Sequence, residues 1–197
     1  MRLILWRHGR TTFNAIGRVQ GQLDVELDEV GLAQAADSAV RVAQREPTHI
    51  VSSDLQRATM TAAPLAELTG LPVQLDPRLR ERYFGPWQGL TGVELRERYP
   101  DDFGRWLTEE IVNPEIETID DMAKRVAAGL RDAIEQAGED AVVVVVTHGG
   151  TARVGCGSLL HWPQSVWPTL GALHNCHRTE LVHRVTRGWQ LDGHNLA

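Results

Sequence analysis

Lysine is nearly missing from this chain: of 20 basic residues Lys124 alone is a lysine, and the arginines that make up the rest are scattered singly. With a net charge of −6, that scatter leaves no basic stripe along which a nucleic-acid backbone would lie, so no nucleic-acid partner is expected. Cysteine is scarce as well. Cys156 and Cys176 are too few for a disulfide framework and form no Cys-x-x-Cys pair, so buried, reduced thiols are expected. No apolar run approaches the roughly 18 residues that cross a bilayer. The opening MRLILWRHG has four consecutive apolar residues and no small-residue cleavage site, unlike a signal peptide. A cytoplasmic location with no membrane partner is therefore expected. Nothing repeats, and no long linker divides the chain.

What is present suits one globular unit. The 197 residues, 42% hydrophobic and 23% charged, fit a single domain over 1–197 with a real core. Leu3 to Trp6 is apolar at every position, and five valines run from 142 to 146, the pattern of strands covered on both faces of a parallel sheet. Between them the period turns helical. Asp28 is placed to cap a helix over about 31–44, with Leu32, Ala35, Ala36, Ala39 and Val40 on one stripe. HIVSS, residues 49–53, reads as a short strand. Ser53 and Gln56 have capping-box spacing for a helix reaching Gly70, with Pro64 expected to kink or shorten it. VQL, residues 73–75, reads as another strand.

Residues 85–117 hold Trp87, Tyr99, Phe103 and Trp106 among many charges, and are expected to form short helices of an inserted cap with the aromatics as its core. From Thr118, the spacing of Ile119, Met122, Val126, Leu130 and Ile134 predicts a helix ending at Gly138. A further helix should follow His148, to about His161. The tail, TELVHRVTRGWQLDGH, reads as a hairpin turning near Arg187 and Gly188. Strands alternating with helices and closed by a hairpin indicate an α/β layered fold with a mostly parallel sheet.

In open parallel sheets, ligands sit beyond the carboxyl ends of the strands. The first strand ends in Arg7, His8 and Gly9; the second leads into Arg57; the valine strand ends in Thr147, His148, Gly149 and Gly150. Two arginines and two histidines thus converge on one edge. Guanidiniums hold phosphate oxygens bidentately, and helix N-termini add backbone donors, so the set reads as a phosphate pocket. An unprotonated His8, kept so by the charges of Arg7 and Arg57, can attack phosphorus as a nucleophile. His148 then donates a proton-bearing nitrogen to the equatorial oxygens. Glu81, in LRERYFGPWQG, is the candidate general acid and base, because a bound dianion favours its protonated form. Taken singly, Arg-His at a strand end is more often a solvated strand terminus than an active site, and a Glu81 in LRER more often a surface carboxylate. The HNCH stretch, His174–His177, lacks a second cluster at ligand spacing, so no metal is assigned.

These residues resemble the histidine phosphatase superfamily, also called phosphoglycerate mutase-like. RHGRTTFN, SSDLQRATMTA (residues 52–62), LRERYFGPWQG and VTHGGTAR are similar to its four motifs in order, and LDEVGLAQA to a helix-start pattern common in it. The resemblance implies a three-layer α/β/α sandwich. It places His8 as the phosphorylated nucleophile, Arg7, Arg57 and His148 as the phosphate clamp, and Glu81 as proton donor and acceptor. Asn14, Gln20, Gly21 and the amide of Gly149 would face the substrate, with no metal and no organic cofactor. Many relatives carry a glycine-glutamate-serine turn before the long helix, where this chain has Pro114, Glu115, Ile116, Glu117 and Thr118.

The family holds phosphatases and mutases. Mutases carry a longer insertion after the third motif, with additional arginines; Arg96, Arg98 and Arg105 here read equally as exposed helix charges. The short form and GPWQG look like the phosphatase branch. The expected substrate is a small phosphorylated metabolite: a sugar phosphate, a phosphoglycerate or a glycosylated phosphoglycerate. Mutase activity through the same phosphohistidine is the alternative, and a non-catalytic phosphate-binding module ranks below it. A homodimer is left open.

Overall fold

Successive side chains of a strand point to opposite faces, so a strand apolar throughout needs a cover on both sides. The computed structural model, which describes residues 1–107 and 113–197 with the side chains of 106 and 107 excepted, supplies both covers. Strand β1 (Arg2–Arg7) sends Leu3 and Leu5 to one face and Ile4 and Trp6 to the other, and β4 (Val142–Thr147) divides Val143 and Val145 from Val144 and Val146 in the same way. The first set packs with Met122, Val126 and Leu130 of α6 (Ile119–Ala137) and with Ala152, Val154 and Cys156 of α7 (Gly149–Leu159). The second packs with Ala39 and Val42 of α2 (Glu29–Ala43) and with Ala58, Ala62 and Leu65 of α3 (Gln56–Thr69). The result is the expected three-layer sandwich. Each fully buried Leu, Ile, Val or Met side chain among them contributes about 1.5–3 kcal/mol.

The sheet has six strands in the order β3-β2-β4-β1-β5-β6. Strands β2 (His49–Ser52) and β3 (Val73–Leu75) run parallel to β4 and β1, whereas β5 (Arg178–Arg184) is antiparallel to β1 and forms the C-terminal hairpin with β6 (Gly188–Leu196). A short helix α1 (Thr12–Ala15) follows β1, closed by a capping box between Thr11 and Asn14. Within 85–117 the described residues hold a 3-10 turn (Gly85–Trp87) and helices α4 (Gly92–Arg98) and α5 (Pro100–Leu107), and Trp87, Leu95, Phe103 and Ile116 form a small core with Tyr99 against it. Residues 108–112 and the Trp106 side chain of the expected 85–117 cap lie outside the described residues. Among the described residues no helix is long and apolar enough to cross a membrane.

Two local expectations are corrected, and of a third one half: Pro64 does not shorten its helix. The buried stripe of α2 is Gly31, Ala35, Ser38, Ala39 and Val42, while Leu32 and Val40 are 46% and 51% exposed and Ala36 is exposed. Alanine-rich helices offer several stripes of similar hydrophobicity; the one buried sets Gly31 against the Arg10 backbone and packs Ala39 and Val42 into the side-chain core on that face of the sheet. Ser53 does not cap α3; the N-cap is Leu55, without a side-chain bond, and the Ser53 hydroxyl is used elsewhere. Pro64 lies inside α3, which runs on to Gly70 in a left-handed C-cap at φ 72°. Both cysteines are buried and free; burial pushes the Cys156 thiol up to about 12 and Cys176 to about 11, so neither is a thiolate at neutral pH.

The close approach that fixes α2 is glycine against backbone. A β-carbon on Gly9 would sit 2.6 Å from the Gly31 carbonyl oxygen, and one on Gly31 would overlap the Arg10 carbonyl oxygen. Neither neighbour is a flexible side chain. Gly31→Ala is expected to lower the unfolding free energy in urea by about 1–3 kcal/mol; an unchanged midpoint would contradict this packing.

Candidate active site

The β1–β4 register pairs Trp6 with Val146 and Arg7 with Thr147, so the next residue on each strand is a histidine. The His8 amide donates to the Thr147 carbonyl at 2.9 Å, and the two rings lie 5.2 Å apart between centroids, tilted by 59°. Both are buried. His8 Nδ1 meets the Gly9 carbonyl oxygen at 2.7 Å. A carbonyl only accepts, so Nδ1 carries the proton and Nε2 keeps its lone pair. His148 Nδ1 accepts from Arg57 Nε at 3.2 Å, which places its proton on Nε2, facing the Ser53 hydroxyl at 2.9 Å.

Arg57 comes from the first turn of α3 and is fully buried. Its other nitrogens donate to the carbonyls of Leu23 and Gly21, both at 2.7 Å. Desolvation, opposed by Glu81 and Asp24 and reinforced by Arg7, lowers its pKa to about 10, so it remains a cation at neutral pH. Arg7 donates Nη1 to the Leu173 carbonyl at 2.6 Å, while its Nε is buried with no hydrogen-bond partner among the described residues. A buried guanidinium N–H without an acceptor is costly unless a ligand supplies one. Burial, then the charges of Arg57 and Arg7, holds His8 well below its usual pKa, and burial followed by Arg57, His8 and Arg7 does the same for His148.

Glu81 completes the cluster from the loop after the 3-10 turn Pro77–Leu79. Its Oε2 accepts from the Gly150 amide at 2.9 Å and its Oε1 from the Arg82 amide at 2.8 Å, with the Thr151 hydroxyl at 3.4 Å. The α7 N-terminus thereby orients the carboxylate, and a β-carbon on Gly150 would stand 2.5 Å from Oε1. Gly149, first residue of α7, keeps its Cα against the Arg7 side chain, where an added β-carbon would lie 3.6 Å from Nε.

Arg7, His8, Arg57, Glu81, His148 and Gly149 are thus brought together. Asn14, Gln20 and Gly21 are nearby, each engaged by protein groups. Asn14 Oδ1 accepts from Thr11 and from Asn175, Gln20 Oε1 accepts from the Thr11 hydroxyl at 2.9 Å, and Gly21, at φ 53°, gives its carbonyl to Arg57. Sequence reasoning passed over Ser53, which sits in the second motif as if it were a cap. It also passed over Asn175, whose Nδ2 donates to the carbonyls of His8 at 3.0 Å and Gly9 at 3.2 Å, so the HNCH stretch clasps the end of β1. Arg82, only 7% exposed and beside Glu81, was unremarked too. Among the described residues no group of three or more His, Cys, Asp or Glu side chains is placed to hold a metal.

The family model of the histidine phosphatase superfamily (branch 1) matches residues 3–197. The chain belongs to the histidine phosphatase superfamily. It is 39% identical to a glucosyl-3-phosphoglycerate phosphatase of Mycolicibacterium vanbaalenii over all of this chain and 95% of that protein. A solved structure of a mycobacterial glucosyl-3-phosphoglycerate phosphatase in complex with VO3 superposes with a TM-score of 0.92 at 39% identity, covering 100% of this chain and 99% of the other. A protein of Yersinia pestis named as a probable phosphoglycerate mutase is 35% identical over 98% of this chain and 91% of its own length. The resemblance read from the sequence is borne out, and the chain is an enzyme of the phosphatase family.

Two histidines buried neutral give this member of the superfamily a pH signature. Their folded pKa values lie below the ordinary 6.5, so below pH 6.5 the unfolded chain binds protons that the folded one does not, and stability falls with pH. The slope approaches about 1.4 kcal/mol per pH unit for each histidine. Urea midpoints should hold between pH 8 and 7, drop from pH 6.5 to 5, and drop less in His148→Gln. A flat profile in the wild-type protein would rule out neutral burial.

Proposed function

We propose that this chain is a metal-independent phosphomonoesterase that hydrolyses a small phosphorylated metabolite through a covalent phosphohistidine on His8. The observation that carries this reading is the lone pair on His8 Nε2, left available by the Nδ1–Gly9 bond, within a cluster holding two guanidiniums and an Arg7 Nε–H with no acceptor among the described residues. Arg7, Arg57, His148 and the Gly149 amide hold the phosphoryl oxygens. His8 Nε2 forms a bond to phosphorus as the ester P–O bond breaks, and Glu81 gives its proton to the departing alkoxide. Glu81, now a carboxylate, takes a proton from water, whose oxygen displaces the imidazole and releases inorganic phosphate. Asn14, Gln20 and Gly21 border the substrate side.

The relatives' names support a glycosylated phosphoglycerate among the candidate substrates, alongside sugar phosphates and phosphoglycerates. The Arg82 guanidinium next to Glu81 is a suitable partner for a carboxylate on such a molecule. Mutase activity is the second reading, favoured by the Yersinia pestis relative. Against it, Arg96, Arg98 and Arg105 are exposed on α4 and α5. All five machinery positions are filled, which disfavours a non-catalytic binding module.

Glu81→Gln should slow alkyl phosphates by about 10²-fold or more while nitrophenyl phosphate, whose departure needs little acid, loses far less. Equal losses would remove Glu81 from the role. In a screen of phosphoglycerates, their glycosides and sugar phosphates, phosphate release is expected; isomerisation of phosphoglycerate outpacing release would make the enzyme a mutase.

A further inference from the structure

An arginine-carboxylate pair outside the cluster of His8 and His148 grips the loop that carries Glu81. Arg125 projects from α6, and Glu117 sits just before that helix's N-cap, Thr118. Arg125 Nε donates to Glu117 Oε1 at 2.5 Å and Nη2 to Oε2 at 2.8 Å, a two-pronged contact between side chains 20% and 13% exposed. The same guanidinium donates Nη1 to the carbonyls of Arg78 at 2.8 Å and Arg80 at 2.7 Å, and Nη2 to the carbonyl of Glu81 at 3.0 Å. Glu117 closes on the other flank. Its Oε2 accepts from the Tyr83 amide at 3.0 Å, its carbonyl from Arg82 Nε at 2.7 Å, and its amide donates to the Tyr83 carbonyl at 2.9 Å.

Backbone from 78 to 83 is therefore held on both sides of residue 81, with every donor of a rigid planar fork engaged. A lysine offers a point charge and cannot reproduce that fork. Partly buried ion pairs are weak sources of net stability, because desolvation offsets most of the attraction. What this one does fix is geometry, and displacement of a reacting group by about 1 Å costs on the order of 10²-fold in rate.

We propose that Glu117 and Arg125 are positioning residues for the proton-donating carboxyl, setting where Glu81 stands relative to the leaving-group oxygen. The proposal rests on Glu81 being the general acid. Its test uses the dependence on leaving group, which a purely structural role would not move. Arg125→Lys, which keeps the charge, and Glu117→Gln, which keeps the shape, are compared with wild type and Glu81→Gln below each protein's melting midpoint. The ratio of kcat/KM for an alkyl phosphate to that for nitrophenyl phosphate should fall about 10- to 100-fold in both positioning variants, the loss typical when an orienting partner is removed. Glu81→Gln should lower the same ratio at least as far. If Glu81→Gln lowers it and the positioning variants keep the wild-type ratio, the proposal is overturned while the assignment of Glu81 stands. If Glu81→Gln leaves it unchanged, the assignment itself has failed.

Discussion

The parallel pairing of β1 with β4 is the constraint on which the rest depends. It sets Arg7 beside Thr147 and so delivers His8 and His148 side by side at the same edge. The pairing is secured by two covered faces, since each strand contributes alternate apolar residues to both cores. A one-residue slip would exchange the faces of every side chain and separate the two rings. The sandwich is therefore a rigid mount, and the chemistry lies where the mount ends.

Electrostatics at that end follow from burial. A fully buried Arg57 is tolerable because carbonyls of Gly21 and Leu23 accept from it and Glu81 lies close enough to oppose its loss of charge. The histidines answer the same field by staying neutral. Neutrality leaves each ring one proton, and the surrounding acceptors decide which nitrogen carries it. The positive, partly unsatisfied cluster that results is what the proposed phosphate chemistry requires, and the nearby Glu81 carboxylate is oriented by the first turn of α7.

Most of the fold was legible in the sequence because strands covered on both faces show as continuous apolar runs, and because Asp28, Gly70 and Thr118 mark helix ends that the backbone requires. The clustering of Arg7, His8, Arg57 and His148 was legible for a related reason, as each follows directly from a strand end. Residues that act through others were not. Ser53 has the spacing of a cap but its hydroxyl oxygen accepts from His148 Nε2, and Asn175 resembles part of a metal motif until the chain folds back on β1. Glu117 and Arg125 look like ordinary helix charges; only the approach of α6 to the 78–83 loop gives them common partners. The stripe of α2 was misplaced because Leu32 and Val40 are more hydrophobic than Ser38, yet the helix face is set by Gly31, which alone fits against the Arg10 backbone.

The covalent intermediate is the most direct point of attack. Enzyme mixed with a phosphorus-labelled substrate and quenched in alkali should retain label that is stable to base, released by acid and located by peptide mass on His8, with none in His8→Ala. Label that persists in His8→Ala, or turnover with no base-stable label in the wild-type enzyme, would contradict nucleophilic attack by His8.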